Sequence, residues 1–169
     1  MKVLFVCTAN ICRSAYAEVV ARHLAGPDSS LVFDSAGTRG FDSEPMNPPM
    51  AAEAAQRGAD PHGFRSKRLT LPLIDEADLI FTAEAAHRRL ILEDRPLAMR
   101  KAFSLGQFAR GLQAAPPGDQ ASLLTRVREK AATAHDDDDI EDPYNRGHRV
   151  AQVVSSQIEA LLTLILPAL

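Results

Sequence analysis

The 169-residue chain is 46% hydrophobic and 24% charged, with a formal net charge of -3, which suits one globular domain over residues 1–169 and gives no footing for a nucleic-acid partner. The apolar start at residues 1–6 is too short for a signal peptide, and the apolar end at 158–169 falls short of the roughly 20 residues that a membrane span needs. A cytoplasmic location without a membrane partner is therefore expected, where thiols stay reduced; export without a classical signal stays compatible with the sequence.

Residues 3–6 (VLFV) read as a buried strand, and 14–25 as a helix with Ala17, Val20, Ala21 and Leu24 on one face. Gly26-Pro27 breaks the chain before a second strand at 31–33. After a proline-rich loop, residues 50–57 read as a helix that Gly58 ends, and 77–81 as a third strand. Thr82 is placed to N-cap a helix over 83–92. Residues 101–103 are the fourth strand and 120–133 a further helix. From Val150 the residues Val153, Val154, Ile158, Leu161, Leu162 and Ile165 recur at helical spacing, the pattern of a final core helix. Strands alternating with helices imply a parallel sheet covered on both faces. The segments 111–120 and 135–147 read as loops, and the acidic run within the second as a solvated one.

Both cysteines lie in CTANICRS, residues 7–14, between the first strand and the first helix. Ligands of an open parallel sheet bind beyond the carboxyl ends of its strands, which is where this loop falls. Thr8, Ala9, Asn10, Ile11, Cys12, Arg13 and Ser14 can curl so that successive N–H groups form an anion-binding nest at a helix N-terminus. Cys7 at its base would be favoured as a thiolate, a nucleophile. Arg13 adds a planar fork that grips two phosphoryl oxygens. Ser14 can donate to the sulfur, and Asn10 tolerates the left-handed backbone that a tight loop demands. A lone cysteine after a buried strand is otherwise a packed small hydrophobe, so it is the complete string that points to chemistry. Two cysteines without a His or Cys cluster make a poor zinc site, and no Gly-x4-Gly-Lys-Ser/Thr nucleotide loop is present.

CTANICRS and the distant EDPY, residues 141–144, together resemble the low-molecular-weight protein tyrosine phosphatase family. DSAGT (34–38) and ADLIFTAEAAH (77–87) are similar to family segments in the same order. The resemblance implies a flavodoxin-like α/β domain with a four-stranded parallel sheet in order 2-1-3-4, needing no metal or other cofactor. It implies that Cys7 attacks phosphorus, Arg13 binds the phosphoryl oxygens, and Asp142 protonates the leaving oxygen and later activates water. A tyrosine-phosphorylated protein or peptide would be the substrate and inorganic phosphate the product. Cys12 matches the family's second cysteine, a reversible disulfide partner for oxidised Cys7; a filler thiol is the plainer reading. Phe41 and Tyr144 are candidate aromatic walls for the substrate ring. Read alone, Asp142 before Pro143 is a turn residue.

The chain departs from the family pattern in places. Ala15 stands where proline is common, Asn145 where a second tyrosine is, and the loop at Phe41 is one residue shorter. Phe64-Arg65-Ser66-Lys67 replaces a His-x-Ala-Arg stretch whose histidine supports the loop asparagine, leaving Ser35 or His62 as substitutes. Three alternatives share the scaffold. A thioredoxin-coupled arsenate reductase needs further cysteines that this chain lacks. A protein-arginine phosphatase carries threonine where this loop has Ile11, and an apolar Ile11 suits a phenyl ring better than a guanidinium. A non-catalytic phosphate-binding module would be expected to have lost the nucleophile or the acid.

Overall fold

The computed structural model describes residues 1–40, 42–119, 121–132 and 135–169. Four parallel strands, β1 (Lys2–Cys7), β2 (Val32–Gly37), β3 (Leu79–Thr82) and β4 (Ala102–Ser104), stand in the order β2-β1-β3-β4. β1 is central because it is apolar from Val3 onward: Leu4 and Val6 pack on one face with Ile74, Ile80 and Ile91, while Val3 and Phe5 pack on the other. That second face carries an aromatic chain. Phe5 stacks on Phe33 and Phe81 at 6.2 and 5.9 Å, and Phe108 meets Phe81 edge-on at 5.0 Å.

The helices are α1 (Arg13–Ala25), α2 (Pro48–Gln56), α3 (Leu71–Glu76), α4 (Ala85–Asp94), α5 (Leu105–Ala114), α6 (Leu123–Lys130) and α7 (Gly147–Ile165). By length and composition alone α7 could cross a membrane, but Val154, Ile158, Leu162 and Ile165 are fully buried in the core, as in a core helix. Val153 and Leu24, read from spacing as core positions, are 59% and 42% exposed. A helix buries a stripe, and these two lie at its margin.

Other boundaries differ for local reasons. β2 runs on through Asp34 and Ser35, whose polar side chains meet Lys67 and Asn10. Thr82 ends β3 and donates to the Glu84 carbonyl, and the N-cap residue of α4 is Glu84. α5 reaches Ala114 and so includes residues 111–114, read as loop; its start is fixed by a capping box between Ser104 and Gln107. α6 is shorter than the 120–133 expected, and positions 120 and 133 lie outside the described residues.

Candidate active site

The chain leaves β1 at Cys7 and enters α1 at Arg13, so residues 8–12 turn beyond the sheet's carboxyl edge. Gly37, beside Cys7 on β2, allows this: a Cβ there would lie 2.8 Å from the Thr8 carbonyl oxygen. Asn10 takes φ 56°, the left-handed conformation its residue type suggested. No side chain caps α1, so its first N–H groups remain for an anion.

Asn10 is the hub of a buried network. Its Oδ1 accepts the Lys67 backbone N–H at 2.8 Å, which fixes the amide's orientation because that N–H can only donate. Its Nδ2 then donates to Ser14 Oγ at 2.9 Å and Ser35 Oγ at 2.7 Å. With its oxygen accepting from Asn10, the Ser14 hydroxyl has its own proton for Cys7 Sγ, 2.9 Å away. Ser35 passes its proton to Glu18 Oε2 at 2.6 Å, and Glu18 is held by Arg22. The support that a histidine would give near residue 64 thus comes from Ser35, Glu18 and the Lys67 amide. Phe64 is buried in the core and His62 is exposed.

Arg13 is 2% exposed. Its Nη1 donates to the Ile140 carbonyl at 2.9 Å and pairs with Glu84, while Nη2 lies 2.9 Å from Asp142 Oδ2. Its Nε is buried without a partner among the described residues. Asp142 has two functions at once: Oδ1 accepts the Tyr144 N–H at 3.2 Å, the turn role, and Oδ2 faces Arg13.

Cys7, Thr8, Ala9, Ile11, Cys12, Arg13, Asp142 and Tyr144 line one cleft of about 280 Å³. The sequence candidates are therefore brought together, except Phe41, which lies outside the described residues. Asn10 and Ser14 stand behind the cleft, as support. Burial first, with Cys7 and Asp142 adding to it, pushes the Cys12 thiol up to about 12. Among the described residues no group of three His, Cys, Asp or Glu side chains is arranged for a metal ion.

Two participants went unread in the sequence. His87, 4% exposed, places Nε2 2.9 Å from Thr8 Oγ1 behind the loop. Burial, the largest influence, lowers its pKa, with Arg13 acting the same way against Glu84, Asp139 and Asp142. The acidic run is the other. Asp138 is buried and Asp139 accepts the Ala85 N–H at 2.7 Å, so these two pack against the domain, while Asp137 is exposed as a solvated loop residue would be.

Residues 2–118 match the model of the family described as low molecular weight phosphotyrosine protein phosphatase. The match includes the loop at 7–14 and stops short of Asp142. A probable low molecular weight protein-tyrosine-phosphatase, EpsP of Ralstonia solanacearum, is 35% identical over 106 residues, covering 63% of this chain and 71% of its own. A low molecular weight protein-tyrosine-phosphatase of Streptomyces coelicolor is 30% identical over 174 residues, covering 99% and 92%. In fold, the chain resembles the YwlE arginine phosphatase from Geobacillus stearothermophilus, with a TM-score of 0.76 at 24% identity, covering 97% of this chain and 89% of that one.

Proposed function

The chain belongs to the low molecular weight phosphotyrosine protein phosphatase family, and from that premise we propose that it hydrolyses phosphotyrosine monoesters on protein or peptide substrates through a phosphocysteine. The observation that carries the reading is the shared cleft of Cys7, Arg13 and Asp142, with Arg13 bonded to the acid at 2.9 Å. Cys7 thiolate attacks phosphorus while the bond to the phenolic oxygen breaks, and Asp142 gives that oxygen its proton. Arg13 and the α1 N-terminus hold the phosphoryl oxygens as charge shifts among them. Water then attacks the phosphocysteine, Asp142 takes its proton, and inorganic phosphate leaves. Ser14, 2.9 Å from the sulfur, donates to the departing thiolate.

Ile11 and Tyr144 on the cleft wall support phosphotyrosine over phosphoarginine. A phenyl ring is content against them, whereas a guanidinium would bury N–H groups without acceptors. Cys12 as the reversible redox partner of Cys7 belongs to the same proposal, as does a cytoplasmic location. The test is competition between a phosphotyrosine and a phosphoarginine peptide of one sequence. Release of phosphate from the first at higher kcat/KM supports the reading, and the reverse order supports a protein-arginine phosphatase.

A further inference from the structure

Asp142 sits on a chain segment that enters the site from α6, and it is 48% exposed, its own contacts being the Arg13 pair and the Tyr144 N–H. Three residues shortly before it, Asp138, Asp139 and Ile140, are tied down closely. Asp138 is 4% exposed and its carboxylate meets the Arg110 fork from α5, with Nε at 3.0 Å and Nη2 at 2.8 Å. The same carboxylate accepts the His135 N–H at 2.9 Å. Burial by itself would raise the Asp138 pKa; the Arg110 and His135 contacts outweigh it, and the group stays an anion. Asp139 caps α4 through the Ala85 N–H, and Ile140 bonds the Ala83 carbonyl with its N–H and Arg13 with its own carbonyl.

The start of α5 is shaped for this passage. Gly106 lies directly under the segment, and a Cβ there would stand 2.4 Å from the Asp138 carbonyl oxygen. A bidentate ion pair with its carboxylate buried, a helix cap from 54 positions away and a glycine cleared for the backbone all converge on residues 138–140. A loop needing only solubility would have none of these.

We propose that residues 138–140 form a strap whose anchor, the Arg110–Asp138 pair, sets the position of the Asp142 carboxyl for proton delivery. Arg110 and Asp138 are then positioning residues, acting through Asp142 and remote from the phosphoryl group. The inference rests on the phosphatase reading above. Releasing the anchor lets the acid drift, and drift of the order of 1 Å costs up to about 10²-fold when geometry governs the step. The loss falls only on reactions that need the proton. A leaving phenol with a pKa of about 10 needs it, and a dinitrophenol does not.

The experiment is the pre-steady-state burst of phenol release from phenyl phosphate and from 2,4-dinitrophenyl phosphate. It compares wild type, Asp138→Asn, Arg110→Gln and Arg110→Lys, the milder pair covering any fold loss in the others, which thermal melting reports. The strap predicts a burst about tenfold or more slower on phenyl phosphate and within about twofold on the dinitrophenyl ester, with Arg110→Lys partly restored. In an Asp142→Asn background Arg110→Gln should add no further loss. Equal slowing on both esters, or additive loss in the Asp142→Asn background, shows a structural role only and overturns the inference. Wild type releasing phenol from neither ester is a different result: it removes the phosphatase reading and the strap's role with it.

Discussion

Arg13 Nη2 and Asp142 Oδ2 lie 2.9 Å apart, so the cation that grips the phosphoryl group also orients the acid that completes the reaction. A substrate dianion and the Asp142 carboxylate draw on the same guanidinium. Asp142→Asn should therefore slow phenyl phosphate cleavage by about 10²- to 10⁴-fold while inorganic phosphate inhibits the variant at least as well as wild type. Burst kinetics and phosphate inhibition constants measure the two effects, and a large loss of phosphate affinity would contradict the shared role.

Ser14 Oγ accepts from Asn10 and lies 2.9 Å from Cys7 Sγ, well inside the 3.5 Å to the Ala36 carbonyl, so its proton is aimed at the sulfur. A hydrogen bond to a charged sulfur contributes about 1.5–3 kcal/mol, which is felt most when the thiolate leaves. Ser14→Ala should leave the burst and slow its decay by about tenfold or more, so the phosphocysteine accumulates. Quenched-flow labelling separates the two steps.

Asn10→Ala removes two buried hydrogen bonds and one part-buried one, and leaves alanine at φ 56°. Left-handed backbone costs alanine about 1–2 kcal/mol, and unsatisfied buried groups at Ser35 and Lys67 add about as much again. Denaturant melting should show a loss of about 2–4 kcal/mol, together with weakened phosphate binding. A stable variant with intact phosphate binding would show that the loop does not depend on this hub.

Burial lowers the His87 pKa from 6.5, so the native state prefers neutral imidazole. Stability from this source is complete above the unfolded value near 6.5 and is lost as pH falls below it toward the lower folded value. Wild type should therefore melt at falling temperature as pH drops from 7 to about 5.5, and His87→Gln should flatten that slope. Equal slopes in the two proteins would refute the assignment.

With its thiol pushed up to about 12, Cys12 is protonated at neutral pH. Iodoacetamide at pH 7 should then label Cys7 and spare Cys12, and Cys7→Ala should be almost unreactive. Mass spectrometry of tryptic peptides reads both. If Cys12 serves as a redox partner, Cys12→Ser keeps its turnover and loses the recovery of activity by thiol after peroxide.

The parallel sheet was legible because β1 and β3 are continuous apolar runs, and the nucleophile loop because its residue types leave few other uses for that string. Asp142 was legible only as a partner to that loop. α5 escaped notice although Ser104-x-x-Gln107 is a capping box, since Gly106, Gly111 and the following prolines mask its helical period. Gly106 is there to admit the strap, and Gly111 because a Cβ would stand 2.7 Å from Ala131 Cβ. Ser35, one of the two substitutes named for supporting Asn10, does so from within β2, which runs beyond the 31–33 expected. Asp138 departs from the solvated reading of the acidic run because charge patterning describes a segment by itself, and its partner is an arginine 28 positions away. Such pairings belong to tertiary structure, which a single sequence does not spell out.

The central claim is a covalent phosphoryl group on Cys7. Wild type mixed with a phosphotyrosine peptide in the presence of chelator, quenched in acid within milliseconds and analysed by mass spectrometry, tests it directly. One phosphoryl group is expected on the peptide containing Cys7, formed at the rate of the burst and absent in Cys7→Ala. Phosphate release with Cys7 unmodified throughout, or persisting in Cys7→Ala, would contradict it.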